Sequence, residues 1–234
     1  YQIITFIFVF LFIIFSIYVG ITRILFSRIM TDNARDSVGH LAHETISEIE
    51  GRFGKVEALG KSILELRKMQ AMSDEQFNHY LFSIIYEYPE VECITIATDP
   101  TPENRPEARA VFYHKNQEIV LPYPNADYQY LDWFQIPFAL QKKYWTEPWF
   151  DNHATQQLVV SFCLPMFSEG RCTGIIRLDT KLSDLQNMVT PLKLKRSGYA
   201  FLISNIGTFI THPADSLVMD ESIFSLAEQF KDPE

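Results

Sequence analysis

The first feature of the chain is a long apolar stretch. Of residues 3–21, 16 are apolar, and no charged residue occurs before Arg23. About 20 apolar residues suffice for a helix to cross the hydrocarbon core of a bilayer. The stretch is longer than the core of a signal peptide and lacks a cleavage site of small residues. We therefore expect residues 1–28 to form an uncleaved transmembrane helix. A buried core helix is the alternative.

A second helical pattern follows. Between Val38 and Leu66, apolar residues recur at alternating steps of four and three. Such spacing predicts one continuous helical face, so we expect a long stalk helix over residues 29–72. Four glycines weaken this helix, which must then be held by packing. It packs either against its own domain or against a second copy of the chain.

The next segments alternate between helix and strand signals. Ser73 begins a capping-box pattern, which predicts a helix to about Tyr86, and Pro89 ends it. Residues 91–98 and 110–114 have the composition of β-strands. A loop rich in proline and polar residues separates these two strands.

The C-terminal half has clearer strand signals. The sequence predicts two strands, over residues 157–167 and 173–180, and a hairpin turn between them at residues 168–171. Residues 182–189 resemble a short helix. A second hairpin over 199–211 resembles the start of another sheet module. The pattern is that of an α+β protein with an antiparallel sheet.

Composition excludes several classes of protein. The net charge is −9 and the pI is about 5.2, which argues against nucleic acid as a partner. Three cysteines are too few for a disulfide-stabilised fold of this size. The hairpin turn pairs Cys163 with Ile176, so no disulfide to Cys172 is expected. His40 and His43 do not have the spacing of a zinc motif, and we expect neither a metal nor a cofactor.

Candidate chemistry concentrates between residues 121 and 152. All three tryptophans of the chain lie there, with several tyrosines and phenylalanines and four interleaved acidic residues. Aromatic faces with a carboxylate suit a small cationic ligand, because the ring attracts the cation and the carboxylate accepts its N–H bonds. The alternative is that these aromatic residues fill the core beneath the sheet.

The order of several motifs resembles the double Cache sensor domains of bacterial transmembrane receptors. These motifs are Asp132–Phe134, Trp145–Asp151, Pro165, Gly174–Asp179, Gly198–Ile203, Gly207 and His212–Pro213. The resemblance implies two PAS-like modules outside the bacterial inner membrane, in a homodimer that signals to a cytoplasmic output domain. The membrane-distal module would be 73–190, and 195–234 would begin the proximal one. The output domain would lie beyond this chain, which itself would not be an enzyme.

The resemblance also implies a ligand site. In double Cache receptors for amino acids, an arginine two positions before a tryptophan binds the ligand carboxylate, and acidic residues bind its ammonium. Leu131 stands at the arginine position here, which argues against an ordinary α-amino acid and leaves two alternatives, an amine without a carboxylate or an unrelated ligand. The expected ligand-binding residues are Tyr128, Trp133, Phe134, Trp145, Trp149, Asp151 and Asp179.

Alternative interpretations remain for some of these residues. Asp179 ends a strand, and its side chain would also suit the cap of the following helix. Glu147 and Asp151 could form the acid/base pair of a membrane-anchored sugar hydrolase, with tryptophans as platforms for sugar rings. A third interpretation is an ectodomain that binds another protein.

Overall fold

The computed structural model describes the backbone of residues 2–69, 72–99, 110–115, 117–122, 124–194 and 198–229. Contacts divide the chain into two units, 1–47 and 48–234. Within the first unit, the described residues are helical. A search of the described helices finds no 18-residue segment apolar enough to qualify as a membrane span. The side chains of residues 2–10, at the start of the predicted span, lie outside the described set.

Two helices begin the fold. Helix α1 spans Gln2–Met69 and includes the predicted stalk, whose heptad-spaced residues Val56, Leu59 and Ile63 are buried in the core. The interpretation that this helix packs against its own domain is confirmed for these three residues. Helix α2 spans Asp74–Glu87 and begins with the predicted capping box at Ser73.

Among the described residues, seven strands form one antiparallel sheet, in the order β3-β2-β1-β7-β6-β4, with β5 also pairing with β6. The strands are β1 (Cys93–Thr98), β2 (Ala110–His114), β3 (Gln117–Pro122), β4 (Tyr144–Trp145), β5 (Trp149–Asp151), β6 (Gln157–Ser168) and β7 (Arg171–Lys181). Strands β1, β2, β6 and β7 confirm predictions, whereas β3, β4 and β5 were not predicted. Most of the predicted 99–109 loop lies outside the described residues.

The central hairpin fixes the register of the sheet. Glu169 and Gly170 form its turn with φ angles of 51° and 78°, and two residues with positive φ are typical of a tight hairpin. A bulge between Met166 and Phe167 shifts the pairing, so Cys163 lies opposite Arg177. The predicted pairing of Cys163 with Ile176 is wrong by one residue.

The two faces of the sheet carry different layers, because successive strand residues point to opposite faces. On one face, Ile176 and Leu178 of β7 pack with α1 and α2. On the other face, Ile175 packs with a 3-10 turn (Pro124–Tyr130) and helix α3 (Asp132–Leu140). The candidate site lies on this second face.

The remaining chain continues from β7. Helix α4 spans Leu182–Val189, as predicted. Two short antiparallel pairs follow. They are β8 (Lys193–Leu194) with β9 (Gly198–Tyr199), and β10 (Leu202–Ile203) with β11 (Phe209–Thr211). A helix, α5, spans Ile223–Gln229. The α+β class with an antiparallel sheet is therefore confirmed.

Candidate ligand-binding site

A buried arginine lies at the centre of the second face of the sheet. Arg177 on β7 is completely buried, and its Nη2 atom lies 2.9 Å from Asp179 Oδ2 and 3.3 Å from Asp151 Oδ2. Both aspartates are also completely buried. A guanidinium is tolerated inside a protein only when it is paired in this way.

Asp151 is held in place by the turn that follows β5. Its carboxylate accepts backbone N–H bonds from His153 at 3.1 Å, Ala154 at 3.3 Å and Thr155 at 3.2 Å. These bonds close the turn between β5 and β6. The position of this carboxylate therefore depends on its own loop as well as on Arg177.

Asp179 is fixed by a second set of hydrogen bonds. Ser161 on β6 donates its hydroxyl to Asp179 Oδ1 at 2.6 Å, and Trp149 Nε1 donates to the same serine oxygen at 3.0 Å. The N-cap residue of α4 is Lys181, which makes no side-chain cap bond. The interpretation of Asp179 as a helix cap is therefore wrong.

Burial and charge shift the pKa values in this cluster. Burial, with a smaller contribution from the nearby Asp151 carboxylate, raises the pKa of Asp179 to about 6, although Arg177 acts in the opposite direction. Burial lowers the pKa of the Arg177 guanidinium, but the two aspartates raise it above its ordinary value. Arg177 therefore stays charged, while Asp179 takes up a proton in mildly acidic solution.

Three aromatic rings surround the guanidinium. Its central carbon lies 4.4 Å from the ring centre of Trp133, 5.1 Å from that of Trp149 and 5.8 Å from that of Phe112. All three distances are within the range of cation–π contacts. We call the three rings and the two aspartates the aromatic–acidic box.

A pocket of about 330 Å³ lies beside this box. It is lined by Tyr130, Leu131, Asp132, Trp133, Tyr144, Thr146, Glu147, Pro148 and Trp149. Trp133 and Trp149 belong to both the pocket and the box. The pocket combines apolar walls with few polar groups, as small-molecule sites commonly do.

Some buried polar atoms at the site have no hydrogen-bond partner in the described part of the chain. They are Glu147 Oε2, Trp133 Nε1, and Arg177 Nε and Nη1. An unpaired buried polar atom is costly, so each of these atoms needs an explanation. Glu147 and Trp133 line the pocket, where a bound ligand would supply the missing partners.

The structure brings together some of the predicted site residues and separates others. Trp133 and Trp149 line the pocket, whereas Asp151 and Asp179 contact Arg177 behind it. Tyr128 and Phe134 are buried against Trp133 in the core, and neither lines the pocket. The predicted role of all these side chains in ligand binding stays a prediction.

Trp145 lies in a different environment from the other predicted site residues. Its ring packs 4.5 Å from that of Phe53 and 5.1 Å from that of Phe162, and its Nε1 donates to Glu57 Oε1 at 3.1 Å. Phe53 and Glu57 belong to α1. Because β4 alternates its side chains, Tyr144 lines the pocket while Trp145 contacts the long helix.

The sequence did not identify Arg177 as part of the site. Asp132 and Glu147 were among the interleaved acidic residues but not among the expected ligand-binding residues. One signal was available, because Arg177 and Asp179 are two residues apart on a strand and therefore share a face. Within the described residues, no group of three or more His, Cys, Asp or Glu side chains is arranged to hold a metal ion. Cys93, Cys163 and Cys172 are free and buried.

The hydrolase interpretation does not agree with the site. Asp151, which would act opposite Glu147, is fully buried and bonded to Arg177 and to backbone amides. It has no free oxygen edge toward the pocket from which to act on a sugar.

Residues 77–187 match the family model described as the first PDC sensor domain of methyl-accepting chemotaxis protein-like receptors. The methyl-accepting chemotaxis protein McpC of Bacillus subtilis (strain 168) is 29% identical over 90 residues, which make up 37% of this chain and 14% of McpC. The match therefore spans about one seventh of that relative's length.

Solved structures share the fold. The ligand-binding domain of the amino acid chemoreceptor PctC of Pseudomonas aeruginosa PAO1, solved with GABA, has a TM-score of 0.62 at 20% identity, with 85% of this chain and 83% of that one covered. The extracellular domain assigned to the histidine kinase mmHK1S-Z3 has a TM-score of 0.60 at 21% identity, with 72% and 66% covered. Residues 77–187 therefore match a chemoreceptor sensor-domain family and share the fold of such domains, which confirms the resemblance that the sequence motifs indicated.

Proposed function

We propose that this domain senses a small amine, which binds in the pocket between the start of α3 and the segment from β4 to β5. The observation that carries the proposal is Glu147. Glu147 lines the pocket, and its Oε2 atom is buried and lacks a partner among the described residues. A ligand ammonium would donate a charge-assisted hydrogen bond to this oxygen.

The rest of the lining supports a cation over an anion. Asp132 adds a second carboxylate, and Tyr130, Tyr144 and Trp149 supply aromatic surface. Among the described residues, the lining contains no lysine or arginine, because Leu131 contributes an apolar side chain and Arg177 lies behind Trp133. A ligand carboxylate would find no cationic partner within this lining.

A route for the signal starts at β4. Tyr144 lines the pocket, and the next residue, Trp145, contacts Phe53 and Glu57 of α1. Lys143 adds an ion pair of 2.7 Å to Glu57. A ligand that shifts β4 would therefore press on the long helix. The ligand must bind the signalling state with a different affinity from the resting state for this shift to occur.

The larger assembly follows by analogy with chemoreceptors. In this proposal, residues 1–28 cross the bacterial inner membrane, 29–72 form the stalk and 73–190 form the membrane-distal sensor module. Residues 195–234 begin a second module. Two copies pair as a homodimer, and the signal reaches a cytoplasmic output domain of the full receptor.

A thermal-shift screen of amines, amino acids and organic acids tests the ligand class. At about 100 times its Kd, a ligand stabilises the folded state by roughly 2.7 kcal/mol, which is a melting-temperature shift of several degrees. We expect amines to give this shift and Glu147→Gln to weaken it at least about tenfold in affinity, because a charged partner is lost. Glu169→Gln, at the exposed hairpin turn, is the matched control and should bind like the wild type.

Two results would contradict the proposal. If only carboxylates shift the melting temperature, the ligand binds elsewhere or is recognised through an anionic group instead of an amine. Shifts given by amines but unaffected by Glu147→Gln would place the amine outside this pocket. If none of the compounds shifts the melting temperature, the interpretation of an ectodomain that binds another protein would be favoured.

A further inference from the structure

Arg177 occupies surroundings that proteins otherwise build for a bound cation. Three aromatic ring centres lie within 5.8 Å of its guanidinium carbon, and two carboxylates lie within 3.3 Å of Nη2. Aromatic cages with a carboxylate are a common way to recognise ammonium and guanidinium groups. The group inside this cage is a side chain of the same protein.

The acidic side of the box does not depend on Arg177 for its position. Asp151 is held by three backbone N–H groups, and Asp179 accepts a hydrogen bond from Ser161. Trp149 is in turn bonded to Ser161. The two carboxylates and one ring would therefore keep their places if the arginine side chain were shortened, leaving a preformed anionic cavity.

The hydrogen bonding of Arg177 also resembles that of a caged cation. Nη2 reaches both carboxylates, while Nε and Nη1 have no acceptor among the described residues. The three aromatic rings around the guanidinium carbon supply further attraction to the cation. A free guanidinium or ammonium ion would satisfy the same set of groups.

We propose that the aromatic–acidic box is a cation-binding site that Arg177 fills as a tethered occupant, and that Arg177 thereby determines which ligands the neighbouring pocket accepts. The effect of Arg177 on the choice of ligand rests on the proposed function. While Arg177 fills the box, the cationic end of a ligand is confined to the carboxylates of Asp132 and Glu147. Without the arginine side chain, the box becomes available to a guanidinium or ammonium ion.

The two tryptophans explain how the box and the pocket are connected. Trp133 and Trp149 line the pocket and also contact the guanidinium. Trp133 is only 1% exposed, and it separates the box from the pocket because it contacts both. A ligand long enough to pass this wall would meet another cation in the wild type, and electrostatic repulsion would exclude it.

Chemical rescue tests this proposal directly. Arg177→Ala leaves two buried aspartates without their cation, so we expect its melting temperature to fall. Methylguanidinium chloride at about 100 times its Kd should then raise that temperature by roughly 5 °C or more relative to equal sodium chloride. The wild type, with its box filled, should not gain this increase.

Arg171→Ala is the matched control. Arg171 lies on the same strand but its side chain is 63% exposed, and its nearest acidic partner in the structure is Asp99 at 3.8 Å. We expect no rescue in this variant. Rescue in the wild type or in Arg171→Ala would show non-specific stabilisation and would overturn the proposal.

Two further variants keep the test decisive. If Arg177→Ala does not fold, Arg177→Ala/Asp179→Asn removes one charge of each sign and keeps Asp151 as the carboxylate of the box. A folded variant that methylguanidinium leaves unchanged refutes the proposal. Rescue that disappears when Glu147→Gln is added would place the ion in the pocket instead of the box, which also refutes it. Because no pocket ligand is used, these outcomes are independent of the amine screen.

Discussion

The substitution Asp179→Asn should remove a pH dependence that the buried cluster imposes on stability. The Asp179 side chain is 0% exposed. Burial and the nearby Asp151 carboxylate raise its pKa from 3.8 to about 6, against the opposing effect of Arg177. Asparagine keeps the shape of the side chain and an oxygen for Arg177, but it does not titrate.

The size of the effect follows from proton linkage. Between pH 3.8 and about 6, the folded chain holds a proton on Asp179 that the unfolded chain has lost. The free energy of unfolding therefore falls as the pH rises through this window. A pKa difference of about 2 units corresponds to roughly 3 kcal/mol. This contribution is fully present below the unfolded pKa and is lost above the folded one.

Urea unfolding of the wild type and of Asp179→Asn between pH 4 and pH 7 measures this contribution. This range of about 3 pH units covers most of the window between the two pKa values. Burial raises the pKa of Glu92, but His114 and Lys181 lower it further, so its net pKa is lowered. This opposite contribution is common to both proteins and cancels in the difference. We expect the stability of the wild type to fall by about 3 kcal/mol relative to the variant. Asp127→Asn, at an exposed site, is the control substitution. If the difference in stability between the two proteins does not change with pH, Asp179 has its ordinary pKa in the fold. If the wild type instead gains stability relative to the variant as the pH rises, the effect of Arg177 outweighs that of burial.

Three substitutions test individual elements of the fold. Gly174→Ala on β7 should lower the free energy of unfolding by at least about 2 kcal/mol, because the new Cβ would collide with the Ala97 carbonyl oxygen of β1. Gly170→Ala, which meets open space at a φ of 78°, should cost only about 1 kcal/mol in the same urea titration. Ser73→Ala should destabilise the chain by about 1 kcal/mol, because the α2 cap is lost, and equal stability would contradict the capping box.

Local signals were sufficient for the elements whose chemistry is local. The capping box at Ser73 marked the start of α2, and the apolar runs around the Glu169–Gly170 turn marked β6 and β7. Helix α4 was predicted with its observed bounds, Leu182–Val189. In each case the spacing of hydrophobic residues and the neighbouring turn or cap residues indicate the same element.

The segment that builds the pocket carried weaker signals. Helix α3 contains Pro137, and its N-cap residue, Leu131, makes no side-chain cap bond. Strands β4 and β5 have only two and three residues, too few for an alternating pattern. These elements are held by tertiary contacts with β6, so their local sequence does not specify them.

The candidate site was only partly predictable, and the bulge in the pairing of β6 with β7 is one reason. A hairpin without a bulge would place Cys163 opposite Ile176, whereas the bulge at Met166–Phe167 moves it opposite Arg177. A shift of one residue exchanges the faces of a strand relative to its partner. The prediction of aromatic residues around a cation was chemically sound, but the cation that the structure places among them is Arg177.

An arginine in the middle of an apolar strand is expected at a solvated edge, because burying it alone is prohibitively unfavourable. Arg177 is buried because two other features are already present. Asp179 shares its face of β7, and the turn after β5 fixes Asp151 through backbone N–H groups. The first feature can be read from the strand period, whereas the second requires β5 to be paired with β6. In our proposal, the specificity of the sensor therefore depends on a contact that only the assembled sheet creates, between the aromatic–acidic box and Arg177.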